Sequence, residues 1–248
     1  MFEEIMNKKQ LIIIWIIGIF FLTSCTILFC QTALAAGRRS KRIDEQPMYG
    51  GYDRQADKRF KKADEEFISR VVKGSGSREK GSELFVEQGV RFYQQDEYGM
   101  AMRRFNQAWL LNPANPDVFW GFAIIFHDEE NAVEAKKMID KALELNLSKP
   151  IALADAGRIY TLFAFADKPT EQRIKDECKQ RANQLYERAI ASAPGNDYIY
   201  ESWAHSLYYQ GDYAGAWKKI KEVRKSGQTI NAWLINHLEE KMPEQKDK

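Results

Sequence analysis

Along this chain, a glycine or alanine with large apolar residues on either side of it recurs with a period of 34 residues. Counted from Ser82, Gly89 occupies the eighth position of the first period, and Ala123 and Gly157 lie one and two periods further on. A fixed period of this length indicates a repeated supersecondary unit. Because such a unit cannot bury its apolar face alone, the chain is expected to fold as a stack of similar units.

The first unit carries the complete pattern, and the second carries most of it. At positions 4, 8, 11, 20, 24, 27 and 32, the first unit has Phe85, Gly89, Phe92, Ala101, Phe105, Ala108 and Pro113. The second unit starts at Pro116, and at the first six of these positions it has Phe119, Ala123, Phe126, Ala135, Ile139 and Ala142. This order resembles the tetratricopeptide repeat, a helix–turn–helix unit of 34 residues.

Two further units follow with changes. The third, from Pro150, has 25 residues between Gly157 and Ala182 where the pattern has 12, which predicts a hairpin enlarged by 13 residues. The fourth starts at Asp197 and keeps the pattern until Val223 replaces its closing alanine. Small residues at positions 8 and 20 are predicted to let the two helices of each unit approach closely.

The resemblance implies an all-α fold, a tetratricopeptide-type solenoid of helical hairpins with an N-terminal signal or anchor segment and a C-terminal capping helix. Apolar residues spaced three and four apart predict a helix before the repeats, over residues 53–72. The predicted parts are a signal segment at 1–36, a basic tether and this pre-repeat helix at 37–81, repeats at 82–115, 116–149, 150–196 (enlarged) and 197–229, and a capping helix with a polar tail at 230–248.

The first part of the chain reads as an export signal. Lys8 and Lys9 precede an uncharged, largely apolar run over residues 11–30. Three outcomes remain open: cleavage after Ala35 or Ala36, lipidation of Cys25 in the sequence "LTSC", or retention as an anchor, since about 20 apolar residues span a bilayer. All three predict an exported protein, periplasmic or attached to a membrane of the cell envelope.

Composition excludes several classes of function. A formal net charge of +2 argues against nucleic-acid binding, which needs a basic face. Three cysteines and three histidines are too few and too scattered for a structural zinc site or a disulfide framework. No phosphate-binding loop or nucleophile motif is present, so neither an enzyme nor a cofactor is predicted. One remote alternative is a metal-dependent periplasmic enzyme using His127 and His205, although His127 to Glu130 is more typical of a helix end with solvated charges.

In tetratricopeptide proteins the first helix of each unit lines a concave groove that binds a partner protein or peptide. Carried over residue by residue, the resemblance gives these candidate groove residues: Tyr93, Trp120, His127, Arg158, Tyr198, His205 and Tyr208. Trp120 is the predicted apolar anchor and Arg158 the predicted carboxylate ligand. Val86 and Val90 stand where family members that grip chaperone tails have Lys and Asn, so that partner is not expected.

The predicted function is therefore a non-catalytic scaffold that holds a partner protein in the cell envelope. A lipoprotein accessory of an envelope assembly or secretion machine, lipidated at Cys25, is the alternative. Some of the groove aromatics are equally consistent with packing between neighbouring first helices. The sequence does not identify the partner, the pathway, the oligomeric state or the role of the enlarged hairpin.

Overall fold

The computed structural model describes residues 41–165 and 171–245. The predicted signal segment, with Cys25, Ala35 and Ala36, lies outside the described residues. Residues 43–165 and 171–245 belong to one compact unit. In the described ranges there are no strands and ten α-helices: α1 Lys58–Ser75, α2 Arg78–Tyr93, α3 Tyr98–Leu111, α4 Pro116–Asp128, α5 Ala132–Glu144, α6 Pro150–Phe165, α7 Gln172–Ser192, α8 Asp197–Tyr209, α9 Tyr213–Lys225 and α10 Ala232–Lys241.

The helices pack in neighbouring pairs, as the repeat pattern predicts. The hairpins are α2 with α3, α4 with α5, α6 with α7, and α8 with α9. Their first helices also contact one another in sequence, α2 against α4, α4 against α6, and α6 against α8. The predicted fold class, an all-α solenoid of helical hairpins, is confirmed.

Turns and caps repeat with the same period as the apolar pattern. The fifteenth residue of the first, second and fourth units has a left-handed backbone: Asp96 (φ 59°), Glu130 (φ 57°) and Gly211 (φ 78°). Asn115 and Asn196 cap the first helices α4 and α8 by accepting hydrogen bonds from backbone N–H groups of the first turn. The left-handed residues lie just after first helices end, and the asparagine caps mark where the first helices α4 and α8 begin.

Small residues stand where paired helices come closest. A Cβ added to Gly89 would lie 2.5 Å from the ring of Phe105, and one added to Gly157 would lie 2.6 Å from the ring of Tyr186. The alanines at position 20 are fully buried: Ala101, Ala135, Ala182 and Ala216. The predicted close approach is confirmed. Gly121, outside the pattern, also faces Phe105 at a distance that leaves no room for a Cβ.

Helix bounds differ from the expected ones at the start of the stack. The pre-repeat helix α1 begins at Lys58, where the side chain of Asp57 caps it, and not at residue 53. The next helix, α2, begins at Arg78 after the cap residue Ser77, four residues before the pattern starts. In the third unit, α6 and α7 have 16 and 21 residues, against 13 in each helix of the second and fourth units.

Residues 43–51, predicted to belong to a tether, are packed against α3. They form two short 3-10 helices, Ile43–Glu45 and Pro47–Gly51, and the ring of Tyr49 is buried. The buried Asn106 accepts a hydrogen bond from the backbone N–H of Tyr49 (3.4 Å) and donates to the carbonyls of Asp44 (3.0 Å) and Gln46 (2.8 Å). The tether prediction is therefore wrong for these residues, which are called the docked segment below.

Within 41–165 and 171–245, every helix is either too short or too polar to cross a bilayer.

Candidate functional site

The candidate site is the surface formed by α2, α4, α6 and α8, called the first-helix face below. Each of these helices contacts the next, so their outward side chains form one continuous surface. All seven predicted groove residues belong to these four helices. The structure places them in three clusters along this surface.

The central cluster is built around the buried carboxylate of Asp155 on α6. It accepts hydrogen bonds from the indole N–H of Trp120 on α4 (2.9 Å), from the guanidinium of Arg158 (3.2 Å) and from the hydroxyl of Tyr198 on α8. One carboxylate thereby joins three first helices. A buried charge is tolerated when it is paired and hydrogen-bonded, and Arg158 supplies the opposite charge.

Burial and the charge of Asp155 shift the pKa in opposite directions at Arg158 and in the same direction at Tyr198. Burial disfavours the charged guanidinium of Arg158, but the carboxylate of Asp155 outweighs it and the pKa of Arg158 is raised. Burial raises the pKa of Tyr198, and the negative charge of Asp155 raises it further. Arg158 is therefore a fixed cation and Tyr198 a fixed hydroxyl donor at neutral pH.

The structure gives Trp120 a different position from the one the sequence suggested. Its side chain is only 8% exposed and its N–H is already bonded to Asp155, so Trp120 forms the floor of the surface. Arg158, with 32% of its side chain exposed, and Tyr198, with 41% exposed, remain accessible above it. Sequence reasoning missed Asp155. The signal was a lone charged residue within the small apolar run "ALADAG".

A second carboxylate organises the cluster at the end of α4. Asp128 accepts hydrogen bonds from the hydroxyls of Tyr93 (2.7 Å) and Tyr98 (3.4 Å), and its other oxygen lies 2.9 Å from Nδ1 of His127. Burial opposes ionisation of Asp128, but the hydrogen bonds from His127 and Tyr93 outweigh it, so the pKa of Asp128 is lowered. Tyr93 and His127 are thus held in place by one anion.

The third cluster joins α8 to α10. Trp233 stacks on His237 with ring centroids 4.1 Å apart and on His205 at 5.8 Å, and Tyr208 meets it edge-on at 5.5 Å. Tyr209, 53% exposed, stacks beside Trp233 at 6.3 Å. Burial lowers the pKa of His205, although Glu201 partly opposes this. The two residues from α10 were missed because they follow the last repeat.

Four other side chains of the first helices are buried: Val86, Ile124, Ala154 and Thr161. The accessible part of the surface is consequently aromatic and polar, with Arg158 at its centre.

The charged run after His127 lies where the helix ends, as predicted. The last residue of α4 is Asp128, and Glu130 makes the following turn. Among the residues of 41–165 and 171–245, no three His, Cys, Asp or Glu side chains are grouped so as to hold a metal ion.

Comparison with known proteins gives little beyond this geometry. No protein-family model matches the chain, and no curated protein sequence matches it. Solved structures that match include PilF of Pseudomonas aeruginosa, with 15% identity over 66% of this chain and 85% of that one and a TM-score of 0.34. Another is PilW, described as a widely conserved type IV pilus biogenesis factor, with 13% identity over 65% of this chain and 86% of that one and a TM-score of 0.36. Similarity this low carries no information about partners or function.

Proposed function

We propose that this chain is a non-catalytic interaction scaffold of tetratricopeptide type, which acts in the cell envelope and binds an extended segment of a partner protein across the first-helix face. The observation that carries the proposal is the cluster at Asp155. It fixes side chains from three helices before any partner arrives, and preorganisation lowers the entropic cost of binding.

Arg158 is the proposed ligand for a carboxylate of the partner. Among the described residues it donates only to Asp155, and 32% of its side chain is exposed. A guanidinium has five N–H donors in a planar fork, which suits a carboxylate held by two hydrogen bonds. The proposed segment therefore places an acidic side chain or a chain terminus at Arg158.

The aromatic residues on either side of Arg158 are the proposed contacts for the rest of the segment. Tyr93 and His127 lie towards one end of the surface, and Tyr198, His205 and Tyr208 lie towards the other. Four helices spaced about 8–10 Å apart span about 25–30 Å, the length of roughly eight extended residues. Tyr and Arg are residue types that often dominate binding energy, and rigid rings add contact area with little loss of entropy.

The proposed location in the envelope comes from the sequence alone. Two lysines followed by an uncharged, largely apolar run are typical of export. Whether this segment is cleaved after Ala35 or Ala36, lipidated at Cys25 or kept as an anchor decides how the scaffold is attached. Metabolic labelling with a fatty acid, compared between the natural chain and Cys25→Ser, distinguishes the lipoprotein alternative, because only a lipoprotein would lose label.

The function is tested by crosslinked pull-down from cell envelopes with the natural chain and with Arg158→Lys. Lysine keeps the charge that balances Asp155 but lacks the planar fork, so the fold is expected to persist and the partner to be lost. Lys218→Gln, an exposed change on α9, is the matched control and should retain the partner. Equal recovery of the same partner by Arg158→Lys and the natural chain, with both folded, would contradict binding at Arg158.

A further inference from the structure

A second candidate binding surface lies on the second helices, away from the first-helix face. An open hollow of about 800 Å³ is bordered by α3, α5 and the docked segment. Its apolar lining includes Met48, Trp109, Phe119, Val133, Met138 and Phe163. None of the residues named for the first-helix face lines it, so the two surfaces can be tested separately.

The hollow combines a buried apolar floor with an exposed apolar edge. Phe119 and Met138 are buried and form part of the floor. Val133, the second residue of α5, is 58% exposed beside them. An exposed branched apolar side chain next to an open apolar hollow is typical of a surface that a partner covers.

The charged side chains of the rim have a net charge of +1 (three lysines and two carboxylates). All five belong to α5. One of the carboxylates, Asp140, is already occupied by the Lys136 ammonium (2.7 Å) and by the hydroxyl of Tyr160. Lys137 and Lys141 make only exposed pairs on their own helix, with Glu134 at 3.3 Å and Glu144 at 3.0 Å. Exposed pairs of this kind contribute little and exchange partners easily.

The docked segment shows which chemistry this side of the molecule binds. Its acidic residues, Asp44 and Glu45, pair with Arg103 on α3. The ring of Tyr49 packs edge-on against Trp109 with centroids 6.5 Å apart. Met48 of the same segment forms part of the wall of the hollow. The neighbouring surface therefore already holds a short peptide that is acidic first and apolar afterwards.

We propose that the hollow binds a short acidic and apolar segment of a partner protein, beside the docked segment and by the same chemistry. An apolar side chain of the partner lies over Phe119 and Met138 against Val133. Its carboxylates pair with Lys137 and Lys141, which give up their exposed helix partners. The inference is independent of the proposed function, because none of the residues named for the first-helix face lines the hollow and different charged residues are used.

The test uses the purified full chain and a labelled synthetic peptide with the sequence of residues 43–51, IDEQPMYGG, added in trans. Saturable binding is expected, weakened at least tenfold by Val133→Ser, by Lys141→Glu, or by a peptide with Asn and Gln in place of its two acids. Lys218→Glu on α9 and Arg158→Lys are controls that should leave the affinity unchanged. Amide exchange should slow in Ala132–Glu144 and stay unchanged in residues 43–51.

Three results would overturn the inference. The first is the absence of saturable binding by the natural chain. The second is a peptide affinity that is the same in Val133→Ser and Lys141→Glu as in the natural chain, or that is lower in Arg158→Lys. The third is faster exchange in residues 43–51, since the peptide would then be replacing the docked segment and not filling the hollow.

Discussion

Asp155 is a negatively charged residue in a stretch of α6 that otherwise consists of small apolar residues. Three donors from three helices converge on it, and one of them, Arg158, is a cation. Trp120 could not hold its present position without an acceptor there, because a buried donor left unpaired is costly. The residue that organises the surface is thus an acid that contributes little exposed area of its own.

Asp155→Asn is expected to destabilise the fold by roughly 1–3 kcal/mol, because it leaves the partly buried Arg158 without its counter-charge. Trp120 donates to Oδ2 of Asp155 and Tyr198 to Oδ1, so the single amide oxygen of Asn can replace the acceptor of only one of them. The urea midpoint of unfolding measures the effect. Asp176→Asn, at an exposed site on α7, is the control, and equal midpoints for the two variants would show that the charge at residue 155 contributes nothing.

Tyr49 makes the docked segment sensitive to alkaline pH. Burial raises the pKa of Tyr49 to about 12, an effect that Arg54 partly opposes, while unfolded tyrosine titrates near 10. Stability is therefore complete below about pH 10 and falls by on the order of 2–3 kcal/mol as the pH rises towards 12. Alkaline unfolding followed by circular dichroism should show this loss in the natural chain. Tyr49→Phe should reduce it, and identical profiles would refute the assignment.

At the scale of elements, the docked segment is held mainly by one side chain of α3. Asn106 is fully buried and uses both its amide nitrogen and its oxygen on the backbone of residues 44–49. Met48 and Tyr49 adopt left-handed backbone conformations there, with φ near 51° and 55°. Such conformations are unfavourable for residues other than glycine, so contacts with α3 must outweigh their cost.

Asn106→Ala is expected to release the segment. Two carbonyls and one N–H lose their partner together, which predicts a loss of about 2–3 kcal/mol of local stability. Amide exchange measured by mass spectrometry should become faster in residues 43–51 while α8 and α9 stay protected. Asn236→Ala, an exposed change on α10, should leave exchange in residues 43–51 as it is. Retained protection in Asn106→Ala would assign the docking to Tyr49 and Arg103 instead.

Whether an element could be predicted depends on how far apart in the sequence its contacting residues are. The four hairpins could be predicted because Gly89, Ala123 and Gly157 recur at a fixed interval. Each of these small residues marks a contact between neighbouring helices. The docked segment could not be predicted, because its partner Asn106 is about 60 residues away and no period connects the two. Asp155 was missed for a related reason, since its donors are 35 and 43 residues distant on other helices.

At the scale of the whole molecule, each helix is stabilised by contacts with the helices next to it in the stack. First helices contact the next first helix, and each pairs with its own second helix. In such a quasi-linear arrangement, the effect of a local defect depends on its position along the stack. Gly89 and Gly157 present the same kind of close contact, one near the start of the stack and the other in the middle.

Gly89→Ala and Gly157→Ala are each expected to lower the free energy of unfolding by about 1–3 kcal/mol, because the new methyl group overlaps an aromatic ring that has no free volume to enter.

Amide exchange should distinguish the two variants. The change at Gly89 should loosen α1 to α3 and leave α8 and α9 protected, whereas the change at Gly157 should weaken protection on both sides of α6. Gly74→Ala, where a Cβ meets nothing within 4 Å, is the matched control and should be neutral or stabilising by about 0.5–1 kcal/mol. If both core variants raised exchange uniformly from α1 to α10, the molecule would unfold as one cooperative unit, and the stack would not behave as a chain of separable neighbours.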